Sequence, residues 1–310
     1  MTIKQLRIKE LNNVHNLEFN FNDSINVFIG NNGTGKSTIL NALLTSVIEK
    51  DSSANPVIYY YKVNNCFDFS LSSIDILNKV FKNLSNIYSN LRIEEPPESY
   101  KYNKTIESYL AIDKYNKTVK FEQLSDGEKN IIMLINTIMV RLSLSNEENP
   151  LNEKSIVLID DIELHLHLAW QRLIIPILLN TFPNCQFFIT THSPHIVNNI
   201  KPKNIFILKQ DQNGSLSYIQ PKESYGMSVD RVVELIMNDQ TRPANISNDF
   251  EELFELIERK RLKEAELLIN KLKKDLPTDP DILMAEMLIY KQRKEEKDDY
   301  ANNKKRMDEI

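Results

Sequence analysis

The sequence predicts an α/β fold: a mixed sheet with antiparallel strands at its N-terminal end, a partly helical lobe, and a small helical extension. Three observations predict it. Residues 155–161 and Cys185–Thr190 are compact apolar runs of the kind found in strands buried on both faces, and the helical spacing over 169–182 between them makes a strand–helix–strand unit. A similar run, Ile-Asn-Val-Phe-Ile at 25–29, passes through a glycine-rich turn into residues whose apolar spacing is three and four. Beyond about residue 245 the apolar side chains fall on helical stripes.

Taken in order, Ile3, Leu6, Ile8 and Leu11 roughly alternate, 16–21 alternates cleanly, and 25–30 completes a strand-rich start. A helix is predicted inside 33–49. Residues 50–120 are rich in Asn, Tyr and Ser, carry Pro96-Pro97, and read as an inserted lobe with one helical stretch over 72–88. Runs at 204–209 and 216–220 flank Asn213-Gly214, a good hairpin turn. Phe250, Leu253, Phe254 and Ile257 make one stripe, and Leu262, Ala265, Ile269 and Leu272 another. A third helix follows 276–281, and the charged stretch 293–310 reads as a solvated or frayed tail. The expected domains are 1–245 and 246–310.

Composition excludes several classes. The chain has 310 residues, about two domains at ~150 each, and a net charge of -5, which gives no global attraction to nucleic acid or an anionic membrane. Cys66 and Cys185 lie far apart, without metal-ligand or redox spacing, so a disulfide scaffold is excluded. No apolar run approaches the ~20 residues of a membrane-spanning helix, and the N-terminus lacks a signal peptide's apolar core. The expectation is a cytoplasmic chain with no membrane segment.

Four motifs carry chemistry. Gly30-Asn31-Asn32-Gly33-Thr34-Gly35-Lys36-Ser37, followed by Thr38, fits the phosphate loop G-x-x-x-x-G-K-[ST] (Walker A) between strand and helix. Its glycines let backbone N–H groups converge on a phosphate chain, and the helix start adds partial positive charge. Lys36 then serves the β- and γ-phosphates, and Ser37 ligates Mg²⁺. Leu124-Ser125-Asp126-Gly127-Glu128 precedes an apolar helix, where Ser125 and Glu128 also make a capping box; the two uses are compatible. The strand 155–161 ends in Asp160 and Asp161. The strand ending at Thr190-Thr191 leads into His192 and then Ser193-Pro194, a helix start with Ser as cap and Pro at the first position.

In this order the four motifs resemble those of ABC-type ATPases: phosphate loop, signature, Walker B and switch histidine. The resemblance implies that Asp160 holds Mg²⁺ through water, and that Asp161 stands where the family usually has a catalytic Glu. The shorter side chain implies slow hydrolysis. It further implies that His192 contacts the γ-phosphate, and that Ser125 and Gly127 complete the ATP site of a second subunit in a head-to-tail homodimer. Ile159-Asp160-Asp161-Ile162-Glu163-Leu164-His165-Leu166-His167, with Trp170-Gln171 and Thr190–Pro194, is similar to the branch of RecF, SMC and OLD proteins over roughly 1–240. Within it the likeness is greatest to the ATPase subunits of Septu-type and retron-linked antiphage systems, to which 225–237 adds. Leu168 replaces the proline common after the second histidine.

Glu163, His165 and His167 could also suggest a metal site, but the stretch lies where the dimer-facing D-loop of such heads runs. Fewer than ninety residues separate phosphate loop from signature, too few for an SMC coiled coil, and 118 residues follow His192, which read as a hairpin and helices rather than an OLD nuclease domain. Asp279-Pro280-Asp281 reads as a turn and helix start, so the chain is not expected to be a nuclease itself. The resemblance implies a separate effector of HNH-nuclease type. The helices after 248 are equally a docking unit or a cover for the core. A RecF-like DNA clamp and a transporter ATP-binding subunit are the alternatives; Gln123 is too close to the signature to serve as a Q-loop glutamine. DNA contact, and ATP against GTP, stay open.

Overall fold

A computed structural model describes residues 2–11, 14–50, 58–61, 73–84, 88–93, 110–146, 148–211 and 215–308. The chain divides into two compact units, Met1–Asn238 and Asp239–Ile310. The first unit therefore ends seven residues before the expected boundary at 245.

In the first unit the chain runs β1 (Gln5–Leu11), β2 (Val14–Asn20), β3 (Ile25–Ile29), α1 (Lys36–Lys50), β4 (Ile58–Tyr61), α2 (Ser73–Leu84), β5 (Tyr88–Ile93), β6 (Leu110–Lys114) and β7 (Lys117–Lys120). It continues through α3 (Asp126–Ser145), β8 (Ser155–Ile159), α4 (Leu168–Gln171), α5 (Ile174–Thr181), β9 (Cys185–Thr190), α6 (Pro194–Val197), β10 (Ile205–Gln210), β11 (Leu216–Ile219) and α7 (Val229–Val232). The central sheet has the order β11-β10-β3-β9-β8-β4. Its five strands from β10 to β4 are parallel, and β11 runs antiparallel at the edge.

Strands β3, β8 and β9 are buried at every position, which is why they read as continuous apolar runs. Val27, Ile29, Val157, Ile159, Phe187 and Ile189 face a core completed by α2, α3 and α5. The alternate positions Phe28, Ile156, Leu158 and Phe188 face a second core with Ile39, Leu40 and Leu43 of α1 and Phe19 of β2. Phe19 packs edge-on to Phe28, with centroids 5.7 Å apart, and stacks on Tyr218 at 4.7 Å.

The antiparallel strands β1 and β2 form a separate two-stranded sheet rather than part of the main one. Gln186, fully buried in β9, joins the two. Its Oε1 accepts from Ile3 N–H at 2.7 Å, and its Nε2 donates to the carbonyls of Ile3 and Asn22 at 2.8 Å each.

Three sequence expectations change. The stretch 50–120 is not all a lobe: β4, Ile-Tyr-Tyr-Tyr, has strand-favouring residues and forms the outer strand of the central sheet beside β8. Ile76, Leu77 and Val80 of α2 lie in the main core, and β5–β7 form a separate antiparallel sheet. Cys66, Pro96-Pro97 and Asn213-Gly214 lie outside the described residues. The helix expected over 169–182 is two, α4 and α5, because Pro176 has no N–H to donate and is tolerated only in a first turn. Finally, of the two expectations for the charged stretch, solvated or frayed, the frayed one falls: 293–308 is helical, and nothing after Pro280 breaks the helix.

The second unit is three helices: α8 (Ala244–Glu258), α9 (Leu262–Leu272) and α10 (Pro280–Asp308). Phe250, Leu253, Ile257, Leu262, Ala265, Ile269 and Leu272 are buried together with Ile282, Ala285 and Ile289. Arg242 ties the start of α10 down, pairing with Asp279 at 2.9 Å and Asp281 at 2.7 Å while lying 4.2 Å over the Phe250 ring. Among the described residues no helix is long and apolar enough to cross a membrane.

Candidate active site

The sheet order makes β9 the neighbour of both β3 and β8, so the carboxyl ends of three adjacent strands converge. That is where ligands bind in open parallel sheets. After β3 the chain turns through 30–35 into α1. Gly30 is required by close approach: a Cβ there would lie 2.8 Å from Thr34 Oγ1 and 2.9 Å from the Leu208 carbonyl. Gly33 and Gly35 take positive φ, 80° and 89°. Thr34 Oγ1 donates to the Asn31 carbonyl at 2.8 Å, closing the loop. Asn31 and Asn32 are exposed, and Thr38 is half-buried on the first turn of α1.

Lys36 is buried, its ammonium donating to the carbonyls of Gly30 at 2.9 Å and Asn31 at 3.1 Å. Burial holds this ammonium below its ordinary range, against the opposing pull of Asp161, Asp160 and Glu163. Ser37 Oγ donates to Asp160 Oδ2 at 2.8 Å across 123 residues of chain. The other Asp160 oxygen accepts from Thr190 Oγ1 at 2.6 Å, and Thr190 Oγ1 in turn accepts from the Asp161 N–H at 2.7 Å. A hydroxyl and a carboxylate beside the phosphate loop are hard oxygen donors, the set that suits Mg²⁺.

Asp161 sits in the left-handed region, φ 49°, which Asp tolerates better than most residues. His192 follows β9 with an exposed side chain, and its backbone N–H donates to Glu163 Oε1 at 2.5 Å. Lys36, Ser37, Asp160, Asp161 and the end of β9 thus share one site. Ser125 and Gly127 belong instead to the start of α3.

Ser125 caps α3, as the sequence predicts. Glu128 Oε2 accepts from both the Ser125 N–H and hydroxyl at 2.8 Å, and Glu128 Oε1 pairs with Lys114 at 2.7 Å. Gly127 is buried against the loop after β8, where an added Cβ would lie 2.9 Å from the His165 carbonyl.

Several contacts carry no motif. Thr191 Oγ1 donates to Glu163 Oε2 at 2.6 Å, and Ser193 Oγ donates to Gln171 Oε1 at 2.6 Å. Ser193 does not cap α6 with its hydroxyl as expected; that hydroxyl is turned to Gln171 instead. His167 Nδ1 accepts from Ala169 N–H at 3.3 Å to cap α4, and no cluster of three metal-ligating side chains occurs among the described residues. The only signal for these contacts was the dense polar spelling of 160–171 and 190–193.

A family model described as "AAA domain, putative AbiEii toxin, Type IV TA system" matches residues 50–198. The chain is 34% identical over 205 residues to "Retron Ec83 probable ATPase" of Escherichia coli, covering 66% of this chain and 35% of that protein. It is 30% identical over 207 residues to "Retron Vc95 probable ATPase" of Vibrio cholerae, covering 65% and 37%. The chain therefore spans about a third of the length of these retron relatives. Septu protein PtuA of Bacillus thuringiensis is 21% identical over 339 residues, covering 78% of this chain and 86% of that one. The SMC head domain from Thermotoga maritima superposes with a TM-score of 0.52 at 14% identity, over 72% of this chain and 100% of that chain. At that identity the likeness is one of fold. The chain has the α/β fold of an ABC-type head and is a relative of the retron ATPases and of Septu PtuA.

Proposed function

We propose that this chain binds and slowly hydrolyses ATP with Mg²⁺, closing as a head-to-tail dimer that regulates a separate effector, a nuclease of HNH type, in cytoplasmic antiphage defence. The observation that carries the nucleotide reading is the contact of Ser37 with Asp160, which brings the phosphate loop and the carboxylate strand onto one cation-sized oxygen pair. The defence reading rests on the kinship with retron and Septu proteins.

Loop 30–38 holds the phosphates through its N–H groups and the start of α1. Lys36 turns from the Gly30 and Asn31 carbonyls to the β- and γ-phosphates. Ser37 and Asp160 would hold Mg²⁺, which when bound neutralises charge on the phosphates. Asp161 orients the attacking water and takes its proton, and His192 meets the γ-phosphate. Ser125 and the start of α3 face the γ-phosphate of a partner, so ATP favours the closed dimer over ADP by differential binding.

Hydrolysis and sedimentation of the full chain test this. Wild type should dimerise with Mg²⁺ and ATP but not ADP, and Lys36→Ala should lose both dimerisation and turnover. Turnover that survives Lys36→Ala, or a dimer indifferent to nucleotide, overturns the reading. The effector is tested by co-purification: a nuclease retained by the chain supports the defence role, and a permease overturns it.

A further inference from the structure

We propose that Glu163 is the positioning residue that sets His192 against the terminal phosphate. This rests on the role of His192 given above and adds to it a residue that no motif assigns.

His192 is exposed, so what the fold holds in place there is its backbone. One carboxylate fastens that backbone. Glu163 Oε1 accepts the His192 N–H at 2.5 Å, and Glu163 Oε2 accepts the Thr191 hydroxyl at 2.6 Å. Thr191 is fully buried, and its Oγ1 accepts the Ser193 N–H at 3.0 Å. A threonine hydroxyl has one proton. With the Ser193 N–H on its lone pair, that proton goes to Glu163. Three successive residues, Thr191, His192 and Ser193, are thus held by one side chain, directly or through a hydroxyl.

The other end is held as well. The Glu163 carbonyl accepts from Leu166 N–H at 2.9 Å, and Ile162 N–H donates to the Thr190 carbonyl at 3.2 Å. Gln171 closes the ring, donating to the Leu166 carbonyl at 2.8 Å while accepting from Ser193 Oγ. Charge-assisted bonds of this kind are about twice as strong as neutral ones. A glutamine replaces them poorly: its single acceptor oxygen serves one of the two donors, and its NH₂ then faces the other. Glu163 therefore acts through the histidine, each of its carboxylate oxygens already accepting from one protein donor.

The test is a double-variant cycle on the full chain, reading kcat for ATP and the affinity for ADP, which lacks the phosphate His192 meets. Glu163→Gln should lower kcat about tenfold to a hundredfold, the scale of a misplaced catalytic contact, with ADP affinity unchanged. His192→Ala should fall at least as far. Adding Glu163→Gln to His192→Ala should cost little more, because both remove one interaction. Thr191→Ser should keep activity and Thr191→Val should lose it.

Losses that multiply in the double variant would overturn the proposal, since Glu163 would then act directly. An ADP affinity that falls with kcat would overturn it too, by making Glu163 a structural support. If His192→Ala alone leaves kcat unchanged, the role of His192 is what has failed, and the inference falls with it.

Discussion

At the scale of single residues, Asp161 shows how a backbone limits chemistry. Its φ of 49° lies in the left-handed region, where Asp and Asn are enriched over most residues. Asp161→Asn should therefore keep the fold and ATP binding while lowering single-turnover hydrolysis by at least about a hundredfold, the lower end of a lost acid–base contribution. Cys185 offers an independent check on β9. Burial pushes its thiol up to about 12, so almost no thiolate exists at pH 8. The peptide containing Cys185 should stay unalkylated by iodoacetamide in the native protein and react fully once unfolded, as read by mass spectrometry. The phosphate loop was legible because its chemistry is spelled in consecutive residues. The Thr190–Asp160 and Thr191–Glu163 contacts were not, because they depend on β9 lying beside β8, and no local pattern states which strands are neighbours.

At the scale of elements, the start of α3 and the loop after β8 are packed backbone to backbone at Gly127. Gly127→Ala would drive a Cβ to 2.9 Å from the His165 carbonyl. The variant should lose about 1–3 kcal/mol of stability, and ATP-dependent dimerisation should weaken with it, measured by denaturant unfolding and sedimentation. In the second unit the Arg242 cluster governs the start of α10. Burial alone would raise the Asp279 carboxyl, but hydrogen bonds and charge from Arg242, with backbone N–H groups, leave it lowered. A carboxyl lowered by folding stabilises the folded state above its unfolded value near 3.8, and that contribution is lost as pH falls through its folded value. Acid should thus destabilise this unit in wild type from about pH 4 downward. Arg242→Gln should cost about 1.5–3 kcal/mol at neutral pH and flatten the acid dependence, followed by circular dichroism. The apolar stripes of α8 and α9 were readable from spacing. The break between α4 and α5 was stated by Pro176, whose meaning depends on whether a turn begins just before it.

At the scale of the whole molecule, each of the two units has a core of its own. A ligand that binds one folded unit stabilises that unit by mass action, about 2.7 kcal/mol at a hundredfold excess over its dissociation constant. Scanning calorimetry should resolve two transitions, with Mg²⁺ and ADP raising one and leaving the other in place. A single transition would show that the units unfold as one.

The buried amide of Gln186 has a consequence for how the chain is made. It bonds Ile3, 183 residues earlier, and receives the first strand pair as a backbone would. At a ribosome adding about 5–20 residues per second, that partner arrives roughly ten to forty seconds after Ile3 has emerged. Until then the face of Phe19 has no sheet to cover it, and the nascent chain must shelter it from its neighbours on the same message.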